Sequence, residues 1–92
     1  MSRVTVIAGA GPGLGESLAR KFAREGCPVA LFARSIDYLK ELASDIEQEG
    51  GSALPVQVDL TSLEDIRSGF EQVKKELGSV DILINHASAA NW

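Results

Sequence analysis

The sequence predicts an α/β domain, the first half of a doubly wound parallel sheet arranged βαβαβαβ with strand order 3-2-1-4. Three observations lead to it. Four short apolar segments alternate with three stretches of helical periodicity, and strands joined by crossover helices lie parallel in one sheet. The first segment, Val4-Thr5-Val6-Ile7-Ala8, stops at a glycine cluster from which a helical pattern starts at once. The third contains Pro55, whose missing N–H places that strand at a sheet edge, where strand three stands in the 3-2-1-4 order.

Taken in order, the first strand covers about residues 3–8. It is apolar on both faces apart from Thr5, as a central parallel strand is. The first helix runs from Pro12 or Gly13 to Glu25. Leu14, Leu18 and Phe22 are expected to line its buried face, with Ala19 and Ala23 beside them. Gly15 and Ala19 are small enough to let this helix sit close to the sheet, and Gly26 stops it. The second strand covers 29–33 and is entered through Pro28. Ser35 is the expected N-cap of the second helix, whose Leu39, Leu42, Ala43 and Ile46 fall at i, i+3, i+4 and i+7. Gly50-Gly51 ends it. The third strand covers 53–58. The third helix starts at Thr61-Ser62-Leu63-Glu64, a capping-box spacing, and is expected to bury Leu63, Ile66, Phe70, Val73 and Leu77. Gly78 closes it, and the fourth strand covers 80–85.

Composition sets the outer limits. A chain of 92 residues suits one small domain or part of a larger one. Hydrophobic residues at 45% and charged residues at 24% are ordinary globular proportions. A net charge of −4 argues against a nucleic-acid partner, so an anion bound here is held by local geometry and not by the overall field. Cys27 is the only cysteine, which excludes an internal disulfide and suits a reducing cytoplasm. No apolar run approaches the ~20 residues of a membrane span. The first strand begins too early to leave room for a signal peptide.

The glycine cluster carries the chemistry. From Val4 to Glu16 the chain reads as strand, tight turn and helix N-terminus. The first turn of a helix has unpaired N–H groups and the positive end of the helix dipole. Glycines let an anion approach those groups with no Cβ in the way. Gly9, Gly11, Gly13, Leu14 and Gly15 therefore read as a phosphate cradle. The spacing G-x-G-x-x-G fails, because counted from Gly9 and Gly11 the third place is Leu14. The spacing that fits is G-x-x-x-G-x-G at Gly9, Gly13 and Gly15.

Cofactors in such a sheet bind beyond the carboxyl ends of the strands, at the switch between strands one and four. Strand two ends in Ala33-Arg34-Ser35. An NAD site usually places an acid there for the ribose 2′-OH, and this chain has none. Arg34 suits a 2′-phosphate and Ser35 adds a hydroxyl donor, so NADP is expected ahead of NAD. The plainer alternative is a solvated arginine at a helix entrance. Strand three ends in Val58-Asp59-Leu60. Asp59 either accepts from an adenine amino group or serves as a carboxylate at the N-terminus of helix three. Strand four ends in Asn85-His86-Ala87-Ser88. The Asn85 amide is placed to tie neighbouring strand ends. His86, with no carboxylate or second ligand beside it, is read as structural, and no metal ligands are assigned.

With these residues in place, the chain resembles the N-terminal, cofactor-binding part of the short-chain dehydrogenase/reductase family over essentially its whole length. The family's Thr-Gly-x-x-x-Gly-x-Gly loop matches at Gly9, Gly13 and Gly15, its Asp after strand three at Asp59, and its Asn-Asn-Ala-Gly stretch at Asn85 and Ala87. The resemblance implies a Rossmann-type fold and a cofactor site built from Gly9, Gly11, Gly13, Leu14, Gly15, Arg34, Ser35, Asp59, Leu60, Asn85 and Ala87. It implies hydride transfer between NADP(H) and a small carbonyl or alcohol substrate in a full-length parent that is a homo-oligomer. Ala8 stands where the family has Thr, and His86 and Ser88 replace the second Asn and the final Gly. The family's catalytic Ser and Tyr-x-x-x-Lys lie beyond strand four. The only tyrosine here, Tyr38, is followed four residues on by Leu42 and not by Lys, so no residue is assigned to proton transfer.

Two other classes stand against this one. A non-catalytic module that binds a nucleotide or pairs with a homologous subunit needs none of the missing residues. An S-adenosylmethionine-dependent methyltransferase shares the βαβ start but wants an acid where this chain has Ala33-Arg34. Finally, Ile82-Leu83-Ile84 is apolar throughout, as suits a strand with neighbours on both sides. With no further strand to pair its outer edge, the expectation is a truncated chain, or one completed by a partner, that self-associates when isolated.

Overall fold

The two central strands are buried along their whole length, which is why their sequences are apolar on both faces. The structure is a computed structural model and describes residues 3–86. Its elements are β1 (Thr5–Ala8), α1 (Leu14–Arg24), β2 (Val29–Ala33), α2 (Ile36–Gln48), β3 (Ala53–Gln57), α3 (Leu63–Glu76) and β4 (Ile82–Asn85). The strands form one parallel sheet in the order β3-β2-β1-β4. Pro55 lies on the edge strand β3, in register with Leu31 of β2. Thr5, the one buried polar residue of β1, donates its hydroxyl to the Arg3 carbonyl at 3.2 Å and so is not left unsatisfied.

Alternate residues of each strand feed two separate cores. On one face Ile7, Val29 and Leu31 pack with Ala19 and Ala23 of α1 and with Leu39, Leu42 and Ile46 of α2. On the other face Val6, Phe32, Val56 and Val58 pack with Val73 of α3, and the Phe70 ring meets Phe32 edge-on with centroids 5.2 Å apart. Right-handed crossovers put α1 and α2 together on the first face and α3 alone on the second.

The buried stripe of α2 is the expected one, Leu39, Leu42, Ala43 and Ile46. The stripes of α1 and α3 are shifted. In α1 the buried line is Gly15, Ala19 and Ala23, with Leu18 and Phe22 packed at its margin and Leu14 57% exposed. The helix lies too close to the sheet for a large side chain on its contact line. In α3, Leu63 is the first helical residue and is 68% exposed. Its cap is Ser62 and not Thr61: the Ser62 Oγ accepts from the Asp65 N–H at 3.3 Å. Thr61 is drawn away by bonds to Asp59. Strands β1 and β4 each start two residues later than expected. There the Asp81 carboxylate accepts from the Val4 N–H at 2.9 Å, so a side chain joins the chains just ahead of the ladder. Among the described residues β4 pairs with β1 alone, and Leu83 on it is 53% exposed.

Among the described residues α3 is the one helix on the second face, so its fit is decisive. A Cβ added at Gly69 would come 2.9 Å from Val58 Cγ2 and 3.1 Å from the Phe32 ring. Gly69→Ala gains about 0.5–1 kcal/mol of helix propensity. It loses about 1–3 kcal/mol to overpacking against two rigid side chains. The urea midpoint of the complete gene product is therefore expected to fall; an unchanged or higher midpoint would contradict this packing.

Candidate functional site

Parallel register gathers the carboxyl ends of all four strands at one edge. Ala8 of β1 is level with Phe32 of β2 and Asn85 of β4, and Ala33 is level with Gln57 of β3. Backbone bonds just past the ladder fix where each loop departs. The Gly9 and Ala10 N–H groups both donate to the Phe32 carbonyl, at 2.9 and 3.0 Å. His86 N–H donates to the Ala8 carbonyl and Val58 N–H to the Ala33 carbonyl, both at 2.9 Å. The Gln57 side-chain amide donates to the Arg34 carbonyl at 2.9 Å, a brace that nothing in the sequence pattern announced.

The glycines of the first loop do three different things. Gly9 and Gly13 have φ of 92° and 96°, in the left-handed region that glycine alone enters freely. Gly15 is needed for space: a Cβ there would overlap the Gly9 carbonyl oxygen and lie 3.2 Å from Ala10 Cα. At Gly11 and Gly13, by contrast, a Cβ would meet nothing within 4 Å. The result is a turn packed hard against the helix behind it and open in front. Gly13 is the N-cap of α1, and no side chain caps the helix. Glu16 and Ser17 N–H groups donate to the Gly11 and Gly13 carbonyls at 3.0 Å, so the N–H groups available to an incoming acceptor are those earlier in the turn. Leu14 stands exposed beside them.

The remaining expected residues line the same edge. Arg34 and Ser35 are exposed where β2 ends. The Ser35 Oγ accepts from the Tyr38 N–H at 3.4 Å and caps α2, which leaves its hydroxyl proton to donate elsewhere. Asp59 Oδ1 accepts from the Thr61 hydroxyl at 2.6 Å and the Thr61 N–H at 2.9 Å, and the Asp59 N–H donates to Asp65 Oδ2 at 3.1 Å. The Thr61 bonds, with the Arg34 charge adding to them, hold the Asp59 carboxyl below its usual range. Asp59 is thus a turn-forming carboxylate ahead of α3 that also feels the cation of the neighbouring loop. Leu60 is half-buried against the α3 core. Asn85 is exposed at the end of β4, and among the described residues its amide makes no hydrogen bond. The tie between β4 and β1 is the backbone bond from His86. Ala87 and Ser88 lie outside the described residues.

A network behind the loop escaped sequence reasoning, because its members are far apart in the chain. Glu16 in the first turn of α1 accepts from the Tyr38 phenol of α2 at 2.6 Å and from Arg20 Nε at 3.1 Å. The Arg20 guanidinium also reaches Asp45 at 3.3 Å and Glu49 at 3.5 Å. The phenol bond, followed by Arg20, lowers the Glu16 pKa against the opposing effect of burial. Burial and then the Glu16 bond push the Tyr38 pKa up.

These contacts have a pH signature. The Glu16 pKa in the folded protein lies below the unfolded value of about 4.3. Its stabilisation is therefore present above that value and is lost as pH falls through the folded pKa. Glu16→Gln is expected to flatten the acid limb of stability as pH falls below the ordinary glutamate pKa of about 4.3, read as melting temperature against pH. An unchanged limb would mean the network contributes nothing. Separately, Gly15→Ala must force loop and helix apart and is expected to cost about 1–3 kcal/mol or more of unfolding free energy, measured in denaturant.

Comparison with known proteins agrees with this geometry. The sequence matches the family model described as short chain dehydrogenase over residues 3–91. It is 38% identical over 88 residues to a short chain dehydrogenase of Pseudocercospora fijiensis, covering 96% of this chain and 28% of that protein. The fold superimposes on a hydroxysteroid dehydrogenase from Escherichia coli with a TM-score of 0.91 and 32% identity, covering 95% of this chain and 37% of the other. It superimposes on L-sorbose reductase from Gluconobacter frateurii, solved with NADPH and L-sorbose, with a TM-score of 0.90 and 36% identity, covering 96% and 34%. The chain spans well under half the length of each. Since the family match runs through nearly all of its residues and the fold superimposes on the solved relatives over nearly its whole length, the chain belongs to the short-chain dehydrogenase family.

Proposed function

We propose that residues 1–92 are the N-terminal, dinucleotide-binding part of a short-chain dehydrogenase/reductase, and that the site takes NADP(H) ahead of NAD(H). The observation that carries this reading is the asymmetry of the glycine turn. It has no room for a Cβ behind it at Gly15 and open space in front at Gly11 and Gly13. An uncapped helix N-terminus opens onto that space, where a pyrophosphate is accommodated by N–H groups and the helix dipole. The solved L-sorbose reductase complex with NADPH supports the same ligand class.

Each residue then has a role. Gly9, Gly13 and Gly15 shape the turn, and Gly11, Leu14 and Gly15 border the pyrophosphate. Arg34 pairs with the 2′-phosphate, and the outward proton of Ser35 adds a donor. Asp59 and Leu60 border the adenine, Asn85 contributes from the end of β4, and Ala87 is assigned to the cofactor site by the family motif alone. When bound, the nicotinamide supplies or accepts a hydride at a small carbonyl or alcohol. The residues of this chain bind and orient it. Proton transfer belongs to residues of the complete protein outside this chain, so the 92 residues alone are expected to bind without turnover. The complete protein acts as a homo-oligomer in the cytoplasm, without nucleic acid or metal. No helix among the described residues is long and apolar enough to cross a membrane.

The test is Arg34→Ala in the complete gene product. Loss of one charge-assisted contact is worth about 1.5–3 kcal/mol, so the NADPH Kd is expected to rise about ten- to hundredfold. The NADH Kd should barely move. Equal losses for both cofactors would sink the 2′-phosphate assignment.

A further inference from the structure

We infer that Tyr38 is a positioning residue of the nucleotide cradle, which holds the Glu16 carboxylate away from the anion received at the α1 N-terminus. The inference rests on the dinucleotide reading and not on the preference for NADP. Glu16 is the one acid in the first turn of α1, the helix end at which the proposed function places the pyrophosphate. A carboxylate there competes with a ligand anion for the same positive helix end. Arg20 cannot hold it alone, because its guanidinium is divided among Glu16, Asp45 and Glu49. The Tyr38 phenol, at 2.6 Å, is the shortest bond Glu16 makes and commits its single proton to that carboxylate. The Tyr38 N–H also donates to Ser35 Oγ at 3.4 Å, where β2 passes into α2. One residue of α2 thus braces both the phosphate turn and the hydroxyl expected at the 2′ side.

Tyr38→Phe in the complete gene product keeps the ring and the backbone contact to Ser35 and removes only the phenol oxygen. Nicotinamide fluorescence gives the Kd for NADPH and NADH in Tyr38→Phe, Glu16→Gln and the double variant. Releasing one charge beside a bound anion is expected to raise both Kd values about three- to tenfold. In the Glu16→Gln background the same Tyr38→Phe change is expected to cost less than about twofold, because the damage runs through the carboxylate. A penalty of equal size in both backgrounds, or none in either, overturns the inference, as would a protein that binds neither cofactor. Preference for NADH over NADPH would refute the 2′-phosphate assignment while leaving this cycle readable. If Tyr38→Phe yields too little folded protein, Glu16→Asp draws the carboxylate off the phenol while keeping its charge. It should raise both Kd values, and unchanged values would overturn the inference.

Discussion

The contact on which the rest depends is the one between Gly15 and the carbonyl of Gly9. Helix α1 begins directly behind the loop that ends β1, so closely that no Cβ fits between them. That closeness fixes the angle at which the helix leaves the sheet. It explains why the buried line of α1 is Gly15, Ala19 and Ala23 and not its leucines. It also sets the helix N-terminus directly beyond the carboxyl end of β1. The positive φ of Gly9 and Gly13 serves this arrangement, because the chain must turn back on itself within six residues to make it.

The two faces of the sheet answer to different constraints. On the α1–α2 face, small residues set the distance and the Arg20–Glu16–Tyr38 network links the helices at the edge of the cradle. Exposed ion pairs are worth little singly. Here they form a network whose central carboxylate also receives a phenol. On the α3 face, one helix presses Val73 and Phe70 against Phe32, with Gly69 where a methyl would collide. Phe32 connects that core to function, since its carbonyl anchors the N–H groups of both Gly9 and Ala10.

Much of this was legible in the sequence, where local patterns decide local structure. Alternating apolar segments gave the strand count, Pro55 gave the edge, and the strand order is that of the first half of a doubly wound sheet. The glycine spacing located the turn, and Ser35 capped α2 as read. Periodicity failed where distance to the sheet overrides hydrophobicity, as at Leu14, and where two hydroxyls competed for one cap, as at Thr61 and Ser62. The Asp59-x-Thr61 turn had a local signal, an aspartate two residues ahead of a backbone donor. The Glu16–Tyr38 bond had none, because its partners stand 22 residues apart on different helices. Asn85 was expected to tie strand ends through its amide, and a backbone bond from His86 does this instead.

We propose that an anionic dinucleotide sits in front of the glycine turn and pairs with the first N–H groups of α1. Amide hydrogen exchange in the complete gene product, with and without NADPH, tests it most directly. Slowed exchange is expected at Gly11, Gly13, Leu14, Gly15, Arg34 and Ser35, with the core strands unchanged. Saturable NADPH binding that leaves the amides of Gly11, Gly13, Leu14 and Gly15 unprotected would contradict it.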